Sequence, residues 1–166
     1  IADLAEKYGY DTVTFTVDTI APIVAITYPY NGAYVDSVAA IWVNGTVTEA
    51  NKGALQPSIN DTHFTLAYWD STSGVFGFSN NTAIPDGLIE LMVSFTDLAG
   101  KTGRATVYFT LDTTAPMVAI TYPSEGAYVD SVAMIWVNGT VTEVNKGALQ
   151  PTINDTRFSL ASWNSG

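Results

Sequence analysis

The chain has 166 residues and a formal net charge of −10, with 16 acidic residues against 6 Lys and Arg. This charge argues against nucleic-acid binding, which requires basic patches, and against binding to an anionic membrane surface. The chain has no cysteine, which excludes disulfides and thiolate metal sites. It also contains no run of 18 apolar residues, so the sequence does not predict a membrane-spanning segment.

The sequence repeats with an offset of 94 residues. The stretch GAYVDSVAAIWVNGTVTEANKGALQPSIND at 32–61 returns almost unchanged at 126–155. Such a period predicts an array of similar units. The array divides the chain into the C-terminal strand region of a preceding repeat at 1–17, one complete repeat at 18–111, and the N-terminal part of a further repeat at 112–166.

In chain order, the complete repeat predicts seven short strands and no helix. Apolar and polar residues alternate within each run, and Gly, Pro, Asn and Asp separate the runs. The runs lie at 24–28, 41–47, 54–59, 64–68, 75–79, 89–95 and 106–111. Turns at this spacing are typical of an antiparallel β-sandwich.

The alternation also predicts which side chains face outward. Trp42 and Asn44 fall on the face opposite the apolar residues of their run. Trp69 and Trp163 fall out of phase with the inward Phe64 and its neighbours. We therefore expect these tryptophans on the surface, where they would form a carbohydrate-binding face.

Several motifs of the repeat resemble a known family. VDTIAP and LDTTAP, followed by VAITYP, NGTVTE and TDLAGKTG, resemble the immunoglobulin-like repeats of large bacterial and archaeal cell-surface proteins. The resemblance covers the whole repeat and implies an all-β, immunoglobulin-like sandwich repeated in tandem. It also implies an extracellular stalk or spacer of an adhesin or surface-layer protein, without enzymatic activity. Lys101 stands where the family usually has Asn.

The residues offer no catalytic set. The single histidine, His63, is replaced by Arg157 in the second copy, on a run that alternates to the surface. No Ser/His/Asp arrangement and no Gly-rich phosphate loop can be assembled. We therefore expect a protein that is not an enzyme.

Three carboxylates fall in loops that share one pole of such a sandwich. Asp18 lies in the linker before the first strand, Glu49 ends the second run and Asp97 ends the sixth. Oxygen ligands of this kind suit Ca²⁺. The pattern predicts a calcium ion that stiffens the array at each repeat, with Asn51 and Thr19 as further donors.

The second copy would begin the same site with Asp112 and Glu143. The competing interpretation is that all these carboxylates are ordinary loop acids, because acidic residues favour turns.

The pattern Asn-x-Ser/Thr predicts N-glycosylation. It occurs at Asn44, Asn60, Asn80, Asn138 and Asn154. Trp42 and Trp136 stand two residues before Asn44 and Asn138, so each pair shares a strand face. Each indole would stack on the first sugar, or would pack against a neighbouring unit or a covering loop.

Three functions follow from these patterns. The first is a stalk whose partners are neighbouring repeats. The second is a filament subunit, in which 10–17 of one chain adds as a strand to an identical chain. The third is a glycan-binding module that uses the exposed tryptophans.

Overall fold

The computed structural model describes residues 1, 4–36, 40–130, 134–146 and 150–164. These residues contain strands and turns but no helix, and accordingly none of them belongs to a helix that could cross a membrane. The chain forms two compact units, Ile1–Leu111 and Asp112–Gly166.

Unit 1 contains two four-stranded sheets within its described residues. Its strands are β1 (Ile23–Tyr28), β2 (Ala33–Val35), β3 (Trp42–Thr48), β4 (Ser58–Ile59), β5 (Phe64–Asp70), β6 (Val75–Asn80), β7 (Gly87–Thr96) and β8 (Thr102–Leu111). The first sheet has the order β1-β3-β6-β5 and the second has the order β2-β8-β7-β4. All pairs are antiparallel except β2 with β8, which is parallel.

One apolar core lies between the two sheets. Alternate residues of each strand point into it, so β3 contributes Val43 and Val47 while β7 contributes Leu91 and Val93. Full burial of a side chain of this size contributes about 1.5–3 kcal/mol. The sequence prediction of an antiparallel, all-β fold with two packed sheets is therefore confirmed.

A glycine on the inward face of β3 allows this packing. A Cβ on Gly45 would overlap both the backbone oxygen of Ala25 and the ring of Phe76. The Phe76 ring is fully buried, and it occupies the space that a side chain at position 45 would fill. Glycine is thus required at position 45 because Ala25 and Phe76 approach its backbone closely, in keeping with the role of glycine inside strands.

Two strand predictions need correction. The alternation pattern missed β2, because three residues are too few to show a period. The predicted run at 54–59 shrinks to Ser58–Ile59, since Leu55 N donates to Lys52 O in a turn (3.2 Å) and Pro57 has no N–H for a ladder.

A β-bulge changes the predicted phase of β5. The register shifts between Leu66 and Tyr68, so Tyr68 faces outward and Trp69 turns inward. The Trp69 ring packs against Phe95, with centroids 5.6 Å apart. The prediction that Trp69 is an exposed aromatic is therefore wrong.

Residues 10–17 form no strand, although their sequence matches β8. Val13 and Phe15 are exposed. In the matching copy, β8 pairs with β7 along its whole length, whereas residues 10–17 make no such pairing.

Unit 2 contains the strands β9 (Met117–Tyr122) and β10 (Asn138–Thr142). They pair antiparallel from Met117↔Thr142 to Asn138↔Tyr122. This register is that of β1 with β3, shifted by the repeat offset.

Candidate metal centre

Three loops of unit 1 bring the predicted carboxylates together. Asp18 lies before β1, Glu49 follows β3 and Asp97 follows β7. One carboxylate oxygen from each of these residues lies within 4.8 Å of the others. The antiparallel order of the strands explains this, because β1 begins where β3 and β7 end.

Asp97 holds its own turn and is buried. Its Oδ1 accepts hydrogen bonds from the backbone N–H groups of Ala99 (2.8 Å) and Lys101 (2.9 Å), and the turn passes through Gly100 at φ 82°. The residue is only 3% exposed, yet its Oδ2 has no hydrogen-bond partner. A buried carboxylate oxygen without a partner is costly, and two further acids beside it add like-charge repulsion.

Asn51 links the three loops by hydrogen bonds. Its Nδ2 donates to Asp18 Oδ2 (2.8 Å) and its backbone N donates to Glu49 Oε1 (2.7 Å). Its backbone oxygen accepts from Leu98 N (3.2 Å). Asn51 therefore positions the Asp18 carboxylate by donating a hydrogen bond to it. Thr19 is exposed.

Hydrogen bonds lower the pKa of Asp18. The Asn51 amide, followed by the backbone N–H of Ile20 (3.1 Å), lowers the pKa of Asp18 below its usual range. The charge of Lys101 makes the smallest contribution to that lowering. The other nearby lysine, Lys52, donates its Nζ to the backbone oxygen of Glu49 (2.7 Å). The negative charge of Asp18 is thus stabilised mainly by dipoles.

Unit 2 repeats part of this network. Asn145 Nδ2 donates to Asp112 Oδ2 (2.9 Å), and Asn145 N donates to Glu143 Oε1 (3.0 Å). The backbone N–H of Thr114 donates to Asp112 Oδ1 (3.2 Å). Asp112 and Glu143 therefore both contact Asn145, the counterpart of Asn51 in unit 2. No residue of the 166 corresponds to Asp97 in this copy.

The set in unit 1 fits a calcium ion chemically. Its donors are carboxylate oxygens, which hard cations such as Ca²⁺ prefer, and the described cluster has no histidine or thiolate that would favour zinc or copper. The unpartnered Oδ2 of Asp97 and the nearby Asp18 and Glu49 carboxylates are oxygen groups that a divalent cation would bind.

The other predicted site residues lie apart from this cluster. Asn44 lies in β3, Asn60 follows β4, Asn80 ends β6, Asn138 begins β10 and Asn154 lies outside the strands. Trp42 and Trp136 are exposed, and in unit 1 Trp42 shares the outward face of β3 with Asn44.

His63 is partly exposed, and its Nδ1 lies 2.7 Å from Asp61 Oδ1. Two tyrosines that flank Asn44, Tyr28 and Tyr68, do not follow from the sequence pattern, because β-bulges set their positions.

Comparison with known proteins adds little. No protein-family model matches the chain, and no curated protein matches it significantly. Among solved structures, an endo-beta-1,4-mannanase from Thermotoga petrophila aligns with 17% sequence identity and a TM-score of 0.43. The alignment covers 58% of this chain and 21% of the mannanase chain. A likeness this distant supports no conclusion about fold or activity.

Proposed function

We propose that the chain is part of an extracellular stalk or spacer, built from immunoglobulin-like repeats, in a large cell-surface protein. We further propose that Ca²⁺ binds Asp18, Glu49 and Asp97. The ion would fasten the segment that carries Asp18 to the loops after β3 and β7, and so stiffen the start of each repeat.

The strand order supports the immunoglobulin-like part of this proposal. Two sheets of order β1-β3-β6-β5 and β2-β8-β7-β4 correspond to the two sheets of that sandwich, with a short parallel strand added beside the last one. The shared register of β1–β3 and β9–β10 supports a repeated unit.

The observation that carries the cation proposal is the state of Asp97. Its Oδ2 is buried and unpartnered within a cluster of three carboxylates. A carboxylate in that position needs a positive partner to offset its desolvation. An ion bound there would connect three loops that the Asn51 hydrogen bonds already align.

The test is the melting temperature of unit 1, measured within the full chain, in EDTA, in Mg²⁺ and in Ca²⁺. At a free Ca²⁺ concentration 100 times Kd, binding to the folded state contributes about 2.7 kcal/mol. For a domain of this size that stabilisation raises Tm by at least about 10 °C. Mg²⁺ should give a smaller rise, because it demands a tighter octahedral site.

Two variants give the control. Asp97→Asn keeps the shape of the side chain and should abolish the calcium-dependent rise. Glu143→Gln alters the incomplete carboxylate set of unit 2. This variant should leave the calcium-dependent rise in Tm unchanged. An identical Tm in EDTA and in saturating Ca²⁺ would contradict the cation site.

One observation favours filament assembly as the second candidate function. Val13 and Phe15 belong to a strand-like sequence that stays unpaired and exposed, which is the form of a donor strand. The mass of the native polypeptide under denaturing conditions, after removal of sugars, separates the two functions. A mass far above 17.7 kDa supports a covalent stalk, and a mass near that value supports strand addition between chains.

A further inference from the structure

One row of residues crosses the outer face of the sheet β1-β3-β6-β5. Asn44 in β3 is paired with Tyr28 on one side and Gly77 on the other, and Gly77 is paired with Tyr68. The register of β1 shifts just before Tyr28, and that of β5 shifts just before Tyr68. Bulges re-aim side chains, and here both bulges align a tyrosine with the row of Asn44.

The glycine in this row lets one tyrosine reach Asn44. A Cβ on Gly77 would overlap the ring of Tyr68, so that ring lies across β6 and its hydroxyl donates to Asn44 Oδ1 (3.1 Å). Trp42 lies two residues before Asn44, on the same face. The side chains Tyr28, Trp42 and Tyr68 remain 40–43% exposed. Asn44 therefore lies among three aromatic groups that are open to solvent.

The amide of Asn44 has an open donor. Its Oδ1 accepts from Tyr68, whereas its Nδ2 makes no hydrogen bond within the described residues. Asn80 differs, because its Oδ1 accepts from Ile41 N (2.7 Å) and its Nδ2 donates to Thr82 O (3.1 Å). Asn60 uses its Oδ1 to accept from Met92 N (2.7 Å). Of these three sequons, only Asn44 combines a nitrogen without a partner with surrounding aromatic rings.

We propose that Asn44 carries an N-linked glycan, and that Tyr28, Trp42 and Tyr68 cover the first sugar. The sequon Asn44-Gly45-Thr46 supplies the acceptor pattern. The faces of pyranose rings carry C–H groups that pack on aromatic side chains, which bury large apolar areas. This inference is independent of the cation site.

The attachment is a glycosyl transfer without oxidation or reduction. The donor is a lipid-diphosphate-linked sugar, the usual chemical class of activated glycan. A bond forms between Asn44 Nδ2 and C1 of the sugar, while the bond from C1 to the diphosphate oxygen breaks. The nitrogen loses one proton, and the lipid diphosphate leaves with the electron pair.

The position of Asn44 determines when the transfer takes place. β3 is an interior strand whose backbone is hydrogen-bonded to β1 and to β6. An enzyme that binds the sequon as an extended segment has no access to this backbone after folding. Transfer at Asn44 therefore precedes the pairing of β3, and the aromatic side chains close around the sugar as the sheet forms.

The first test is peptide mass spectrometry of the protein isolated from its own organism. The peptide that contains Asn44 should carry a glycan, and its removal by an amidase should convert Asn44 to Asp. An unmodified Asn44 in that protein would overturn the proposal.

The second test measures the aromatic cover in the full chain, secreted from a host with N-glycosylation. Thr46→Ala removes the sequon but keeps Asn44, and Thr62→Ala is the matched control at the exposed Asn60. Without the Asn44 glycan, hydroxyl-radical labelling of Trp42 and Tyr68 should rise about two-fold, because their rings lose cover. The control should leave that labelling unchanged. Equal labelling with and without the Asn44 glycan would overturn the role of the three aromatic side chains.

Discussion

The strand pairs β1–β3 and β9–β10 have nearly the same sequence and the same register, yet they differ in burial. Val24 in β1 is 8% exposed, whereas the corresponding Val118 in β9 is 64% exposed. Val43 and Val137 differ in the same direction. In unit 1, β6 extends the sheet that contains β3, and the sheet that contains β7 and β8 covers its inner face. The described part of unit 2 has no such cover.

This difference separates the structural features that depend on nearby residues from those that depend on distant strands. Strand pairing, the bulge before the paired tyrosine and the Asp–Asn–Glu network occur in both copies. They depend on residues close to the two strands. Burial and a third carboxylate occur in unit 1: β6, β7 and β8 provide the burial, and the turn after β7 provides Asp97. Local sequence thus determines the pairing, and distant strands provide the core and the complete acid cluster.

The largest expected effect comes from matched isoleucines. Ile41 is 2% exposed and Ile135 is 46% exposed. Ile41→Ala should lower the free energy of unfolding of unit 1 by about 2–5 kcal/mol, because it leaves a cavity in the core. Ile135→Ala should change the stability of unit 2 by no more than about 0.5 kcal/mol.

Native-state hydrogen exchange measures both effects in the full chain. Amides of β7 report on unit 1, and amides of β10 report on unit 2. Equal losses of unfolding free energy in the two variants would mean that Ile135 is as well packed as Ile41. That result would contradict the difference in burial between the two copies.

A smaller effect concerns the pKa of Asp18. Because the Asn51 amide lowers this pKa in the folded state, the interaction contributes stability above the ordinary pKa of aspartate. That contribution is lost as pH falls through the lower folded-state pKa. Asn51→Ala should raise the pKa of Asp18 toward its ordinary value, and should weaken the dependence of stability on pH in the acid range.

NMR titration of the Asp18 carboxyl carbon measures this shift. Asn145→Ala is the matched control in unit 2, and it should leave the titration of Asp18 unchanged. If Asn51→Ala leaves the pKa of Asp18 where it is, the hydrogen bond from Asn51 does not set the charge state of the cluster.

Much of the fold is readable from the sequence, because β7 and β8 alternate cleanly between apolar and polar residues. The bulges in β1 and β5 are not readable, since a bulge depends on the partner strand as well as on the bulged one. For that reason the alternation pattern assigned Trp69 to the wrong face. β2 was missed because three residues are too few to show a period, and its partner β8 lies more than 70 residues further along the chain.

The candidate metal centre was predictable in its members but not in its details. Asp18, Glu49 and Asp97 follow from the chain order of loops at one pole of a sandwich. The burial of Asp97 and the direction in which Asn51 donates depend on three loops packing together, which no local pattern encodes. The tyrosines around Asn44 were missed for the same reason as the bulges.

The number of calcium ions bound per chain tests most directly whether a complete acid cluster, and not a partial one, forms the site. Equilibrium dialysis of the full chain against Ca²⁺ measures this number. We predict one ion per chain, and none after Asp97→Asn, because Asp112 and Glu143 lack a third carboxylate. Two ions per chain would show that a partial cluster is sufficient, and one ion that survives Asp97→Asn would show that Asp97 is not needed. The absence of binding would contradict the site itself.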